Sequence, residues 1–167
     1  VVTVVIKASL RRPAAKRMRQ HHPWVFDQSI THLSHEGDAG DVVVLYDDKR
    51  KQVGLGLYDP QSPIRVRVMH HGGPIQLDDA FFADKLRQAW DARKPLLSTE
   101  TDGYRVVHGE NDGLGGLVVD RYASTLVVKL YSDVWWPRLD LLLRVLEEGM
   151  QPERIVVRLA RNLKARH

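Results

Sequence analysis

The sequence predicts an α+β protein in two parts, a small, mostly β unit followed by a unit that combines helices with an antiparallel sheet. Three observations lead there. Apolar and polar residues alternate in short runs as far as Met69, a Gly/Pro break follows at His70-His-Gly-Gly-Pro74, and from Asp78 the apolar spacing becomes helical. The break places a domain boundary between residues 1–74 and 75–167.

Each element has its own reason. Val2 to Ile6 is a β-branched run and reads as a strand. Pro13 to Gln20 reads as a short helix, with Pro13 in a first turn where its missing N–H costs nothing. The chain leaves that helix over His21 to Val25. Val42 to Tyr46 is a strand that turns at Asp47-Asp-Lys-Arg50 into Val53 to Tyr58, where Gly54 and Gly56 signal a bend or a close backbone approach. After a turn at Asp59 to Pro63, the run Ile64 to Met69 alternates, pointing Ile64, Val66 and Val68 inward and Arg65 and Arg67 outward. In the second part Phe82, Leu86, Ala89, Trp90 and Arg93 share one helical side, Asp78 or Asp79 supplies the N-cap, and Pro95 ends the helix. Arg105 to Val107, Leu117 to Val119 and Leu126 to Leu130 are consecutive antiparallel strands, joined by the Glu110 to Gly115 loop and a tight turn at Ala123-Ser124. Trp136, Leu139, Leu143, Leu146 and Met150 form the apolar stripe of another helix, and Arg154 to Leu159 returns to a strand.

Composition bounds the function. With 43% hydrophobic and 28% charged residues among 167, the chain can bury a core, and no apolar run approaches the roughly 20 residues of a membrane span. The first residues lack the basic head of a signal peptide, so a cytoplasmic protein is expected; because the chain begins at Val1, trimming or an omitted segment stays open. There is no cysteine, which excludes disulfides, thiolate metal sites and attack by a cysteine thiolate. The net charge of +4 favours an anionic partner, and its distribution says more: Arg11, Arg12, Lys16, Arg17 and Arg19 lie within nine residues.

Other candidate sites have plainer explanations. Glu110, Asp112 and Asp120 could do acid and base work, but Asn111-Asp-Gly113 has the composition of a tight turn. Gly113, Gly115 and Gly116 precede a strand, whereas a phosphate cradle opens a helix. Of the eight histidines only His32 and His35 have a helix-compatible spacing, without an acidic or cysteine partner at a ligand offset, so no metal site is assigned. Trp24 and Phe26, large apolar residues after a proline, read as core anchors rather than as a stacking platform.

Several motifs in order resemble one family. Arg19-Gln-His-His-Pro-Trp-Val-Phe26, Gly54-Leu-Gly-Leu-Tyr-Asp-Pro60 with Ile64-Arg-Val-Arg67, Asp79-Ala-Phe-Phe82 and, above all, Tyr104 to Tyr122 with its core Gly109-Glu-Asn-Asp-Gly113 are similar to segments of the bacterial large-subunit rRNA cytosine-5 methyltransferases. The resemblance implies a PUA-like β pseudo-barrel for RNA over residues 1–74, a central α/β domain over 75–167, and then a domain for S-adenosylmethionine that this chain lacks. Gly115 stands where the family usually has proline, and Asp27-Gln28 replace small residues. A larger departure is chemical. Cytosine C5 methylation in that family needs a cysteine to attack C6 of the base, and the chain has none, so no catalytic residue is assigned within it.

What the resemblance implies is an RNA-binding part of a methyltransferase that acts on 23S rRNA, positioning RNA for a catalytic domain outside the chain. Arg12, Lys16, Arg17 and Arg19 with Arg65 and Arg67 would contact the RNA backbone. The expected partner is ribosomal RNA, not a membrane, with a homodimer left open; no cofactor is expected in this chain and S-adenosylmethionine in the absent domain. Two rivals stand beside it: a stand-alone protein-interaction module using the central hairpin and the Trp135/Trp136 helix, and a small hydrolase using Glu110 and Asp120.

Overall fold

In the computed structural model, which describes residues 5–98 and 102–167, the chain divides into two units, Val1–Leu77 and Asp78–His167. The first contains β1 (Ile6–Leu10), α1 (Arg12–Arg19), β2 (Trp24–Phe26), β3 (Ile30–Leu33), β4 (Val42–Tyr46), β5 (Gln52–Tyr58) and β6 (Ile64–His71). Its strands form one curled, half-barrel sheet in the order β2-β6-β5-β4-β1-β3, antiparallel except where β1 runs parallel to β4. Period-two alternation sends Ile6, Ala8, Leu10, Val43, Leu45, Val66 and Val68 to one interior, which Ala14, Ala15 and Met18 of α1 complete. Two glycines let β5 and β6 approach. A Cβ at Gly56 would collide with the Arg67 carbonyl oxygen, and one at Gly54 would lie 2.8 Å from the His70 carbonyl oxygen.

Some expectations shift here. Residues 2–4 of the first expected strand lie outside the described residues, and the strand itself runs Ile6–Leu10. Trp24 and Phe26 are not core anchors: the strand buries Val25 between them, leaving Trp24 half-buried and Phe26 38% exposed, with their rings edge to face at 6.3 Å. A three-residue strand can send only its central side chain inward when the flanking two share the other face. His32 sits on β3, so its helical spacing to His35 has no helix beneath it.

The second unit contains α2 (Asp79–Asp91), β7 (Gly103–His108), β8 (Leu117–Tyr122), β9 (Thr125–Leu130), α3 (Leu139–Met150), β10 (Arg154–Leu159) and α4 (Arg161–Lys164). Its sheet has the order β10-β9-β8-β7, with β7, β8 and β9 antiparallel as expected and β10 parallel to β9. Asp78 caps α2 by accepting from the Phe81 N–H at 2.9 Å. That helix stops at Asp91, four residues before Pro95, and Arg93 therefore lies beyond it. Phe82 meets Trp135 edge to face at 5.6 Å, and the Trp135 indole N–H donates to the Gly115 carbonyl at 2.8 Å.

The apolar stripe of α3 differs from the expected one. Leu141, Leu142, Val145 and Leu146 are buried, while Trp136 is 38% exposed and precedes the helix in a 3-10 turn spanning Asp133–Arg138. Pro137 inside that turn delays the α-helical register, so a stripe counted from Trp136 starts in the wrong phase. No helix among the described residues is long and apolar enough to cross a membrane.

Candidate nucleic-acid interface

Helix α1 is amphipathic by composition: two alanines and Met18 face the core, and cations take the remaining surface. Arg12, Lys16 and Arg19 recur at helical spacing and line a groove of about 430 Å³ together with Ala15, Asp48 and Lys49. Lys49 comes from the turn between β4 and β5. That turn supplies acid as well as base, and the acids determine which cations remain available.

Asp48 accepts from the Arg12 Nε at 2.7 Å, which holds its carboxyl below the usual range and raises the guanidinium. Asp47 is buried under the turn. It accepts from the Lys51 N–H at 2.8 Å, the Lys49 N–H at 2.9 Å and the Arg19 Nη2 at 2.8 Å. The Lys51 N–H contributes most to lowering its pKa, burial opposes, and Lys49 and Arg19 reinforce the lowering. Arg12 and Arg19 thus clamp the two ends of α1 to the turn. Arg17 is half-buried and donates to the Ser29 hydroxyl at 3.4 Å, while Arg11 donates to the Gln28 carbonyl at 2.9 Å.

Lys16 and Lys49 are left. Neither ammonium has a hydrogen bond or ion pair among the described residues, and both residues are exposed on the groove. Two point charges with mobile stems and no carboxylate partner are suited to phosphate oxygens. Arg12 and Arg19 keep outward guanidinium area, with side chains 81% and 55% exposed, and can reach an anion while paired. Lys49 carries no sequence signal of its own, because Asp47-Asp-Lys-Arg50 reads as an ordinary hairpin turn, with nothing local to place it opposite a helix.

Arg65 and Arg67 stand elsewhere. They alternate with Val66 and Val68, so they occupy the face of β6 turned away from the core that α1 closes. Arg65 donates to the Pro60 carbonyl at 3.0 Å and approaches Asp27 at 3.7 Å; Arg67 pairs in register with Trp24. The structure brings together Arg12, Lys16 and Arg19 but does not bring Arg65 or Arg67 to their groove.

Two of the candidate carboxylates of the second unit, Asp112 and Asp120, are engaged structurally. Asp120 is buried on β8 and accepts from Arg105 at 2.8 Å and Lys129 at 3.0 Å. Burial pushes its carboxyl up, and the bonds from Arg105 and Lys129 more than reverse that, leaving it below the usual value. Asp112 makes a two-point ion pair with Arg93, both bonds 2.9 Å, and also accepts from the His108 N–H at 2.6 Å. A low-pKa carboxylate held by two cations is a poor proton acceptor, so Asp120 is poorly suited to serve as the base of the Glu110/Asp120 hydrolase. The Trp135/Trp136 interaction surface loses Trp135, which is fully buried. Among the described residues no group of three or more His, Asp or Glu is arranged to hold a metal ion.

Comparison with known proteins gives these features a context. Residues 9–71 match the family model of the PUA-like domain. A ribosomal RNA large subunit methyltransferase of Deinococcus radiodurans is 42% identical over 166 residues, covering 96% of this chain and 41% of that protein. A ribosomal RNA large subunit methyltransferase I of Alteromonas mediterranea is 36% identical over 118 residues, covering 70% of this chain and 30% of that protein. The chain therefore spans well under half the length of these relatives. Among solved structures, a Streptococcus mutans protein described as a SAM-dependent methyltransferase matches with a TM-score of 0.78 at 17% identity over 91% of this chain and 40% of that one, a likeness of fold.

Proposed function

From homology to the ribosomal RNA large subunit methyltransferases, with a PUA-like domain at residues 9–71, we propose that this chain is the RNA-binding part of such an enzyme. It holds large-subunit rRNA for cytosine C5 methylation by S-adenosylmethionine. The chain supplies no cysteine to attack the base, so that nucleophile and the cofactor site come from outside these 167 residues. The observation that carries the reading is the groove of α1, where Lys16 and Lys49 stand without carboxylate partners between the tethered Arg12 and Arg19. Such a surface takes hold of the phosphate backbone without reading sequence. Specificity then rests on RNA shape and unpaired bases.

Fluorescence anisotropy against a structured 23S rRNA fragment and a matched DNA duplex, across a salt series, tests this. Lys16→Glu with Lys49→Glu should weaken rRNA binding and lower the salt slope by roughly 0.7–0.9 for each phosphate no longer neutralised. Unchanged affinity and slope in that folded variant would remove the groove from RNA binding.

A further inference from the structure

The four-stranded sheet of the second unit has two unlike faces. Leu117, Val119, Leu126, Val128 and Leu130 fill one, and all are buried. By register and alternation, the other carries Arg154, Val156 and Arg158 on β10, Lys129 on β9, Asp120 on β8 and Arg105 on β7. This face is open. Val156 is 38% exposed, and Tyr122 and Tyr131, at 54% and 51%, are the most exposed large hydrophobic side chains among the described residues.

Its charge is one-sided. Arg105 and Lys129 against Asp120 leave one net positive charge, and Arg154 and Arg158, flanking Val156, raise it to three. Arg158 makes no hydrogen bond or ion pair among the described residues, and Arg154 has only a 3.5 Å contact with the Thr125 hydroxyl. Asp120 meanwhile fixes Arg105 and Lys129 in place. Tyr122 pairs with Thr125 at one end of the hairpin, and Tyr131 follows Leu130 at the other, about 20 Å away along the strand.

We infer that this sheet face binds single-stranded RNA, with Tyr122 and Tyr131 stacking unpaired bases at its two ends, Arg158 and Lys129 meeting the phosphates between them and Arg154 meeting one beside Tyr122. Every base has a π-face, so two exposed phenol rings on a rigid sheet serve as a sequence-tolerant platform. A protein partner fits less well. The centre of a protein interface is depleted of charge, whereas the middle row of this face carries the Asp120–Arg105 ion pair beside Val127 and Val156, and Arg158 with Lys129 forms the next row. This surface is built from different residues than the α1 groove.

Anisotropy of a fluorescein-labelled oligouridylate with the whole chain tests it. Tyr122→Ala with Tyr131→Ala should weaken binding by about tenfold or more, while Tyr122→Phe with Tyr131→Phe, which keeps both rings, stays within about twofold. Arg154→Glu with Arg158→Glu should weaken binding as well and flatten its salt dependence. The Lys16→Glu and Lys49→Glu variant separates the two surfaces. If it weakens binding to the rRNA fragment while the folded tyrosine-to-alanine variant binds oligouridylate like the parent, the sheet inference falls and the groove reading stands. Absence of oligouridylate binding at low salt would also overturn the inference. So would tighter binding of a polyglutamate peptide that the same variants abolish, which would give the face to an acidic protein.

Discussion

Replacing Asp120 by Asn is the sharpest test of how the second unit is held together. The carboxylate is 5% exposed and bonded to Arg105 and Lys129, whose side chains are 45% and 23% exposed. Breaking a fully buried ion pair costs roughly 3–5 kcal/mol because a charge is left uncompensated. Water reaches both cations here, Arg105 especially, so about 2 kcal/mol is the better figure for the loss. For a unit of this size that corresponds to a fall in melting temperature of roughly 8–16 °C. The asparagine is nearly isosteric, so packing changes little and the loss reports the charge. Differential scanning calorimetry of the parent and variant chains at neutral pH, following the transition of the second unit, gives the number. The pH dependence adds a control with a definite sign. Because the folded-state pKa of Asp120 is depressed, its contribution is present above the ordinary carboxylate value near 4 and is lost as pH falls through the folded value. The gap between parent and variant should therefore close on acidification below about 4. A variant that melts with the parent at neutral pH, or a gap that persists unchanged into acid, would refute the structural role assigned to the triad.

Two further substitutions probe packing, one in each unit. Gly56→Ala should destabilise the first unit by about 1–3 kcal/mol in urea unfolding, since its Cβ would meet the Arg67 carbonyl and Val66 between paired strands; parent-like stability would mean that β5 and β6 can separate freely. Trp135→Phe should cost the second unit about 2–3 kcal/mol, because it leaves the Gly115 carbonyl without its donor and opens space beside Phe82. An unchanged urea midpoint would show that neither interaction contributes.

Much of this fold was readable where one physical signal dominated. The alternation over Ile64 to Met69 reflects a strand with one face in a core, and β6 follows it as far as His71. Gly54 and Gly56 marked a close backbone approach, and the structure gives each a carbonyl to avoid. The short strands β2 and β3 were not legible because they lie at the two edges of the sheet, where three or four residues with mixed exposure leave no periodic trace. The face of α3 is hidden for a related reason: Trp136 and Leu139 have helical spacing in sequence, but Trp136 lies in a 3-10 turn that ends just before Leu139. The basic helix was visible in composition, yet the partners of its cations were not. Arg12 meets Asp48 and Arg19 meets Asp47 across 36 and 28 residues of chain, distances that no local pattern encodes.

That long-range pairing governs how the first unit should be tested. Reversing Arg19 would remove a cation from the groove and also leave Asp47, which is buried and held ionised chiefly by the Lys51 N–H, facing a new negative charge. The β4–β5 turn and the C-terminal end of α1 would be disturbed together, and lost RNA binding could not be told from lost structure. Arg17 carries the same ambiguity through Ser29. Lys16 and Lys49 do not, because their ammonium groups have no partner among the described residues. A double reversal there changes the groove by four charge units and should leave both clamps intact. Retained melting temperature alongside lost rRNA affinity in that variant would assign the loss to binding alone; a collapse of both would show that the lysines, too, support the helix.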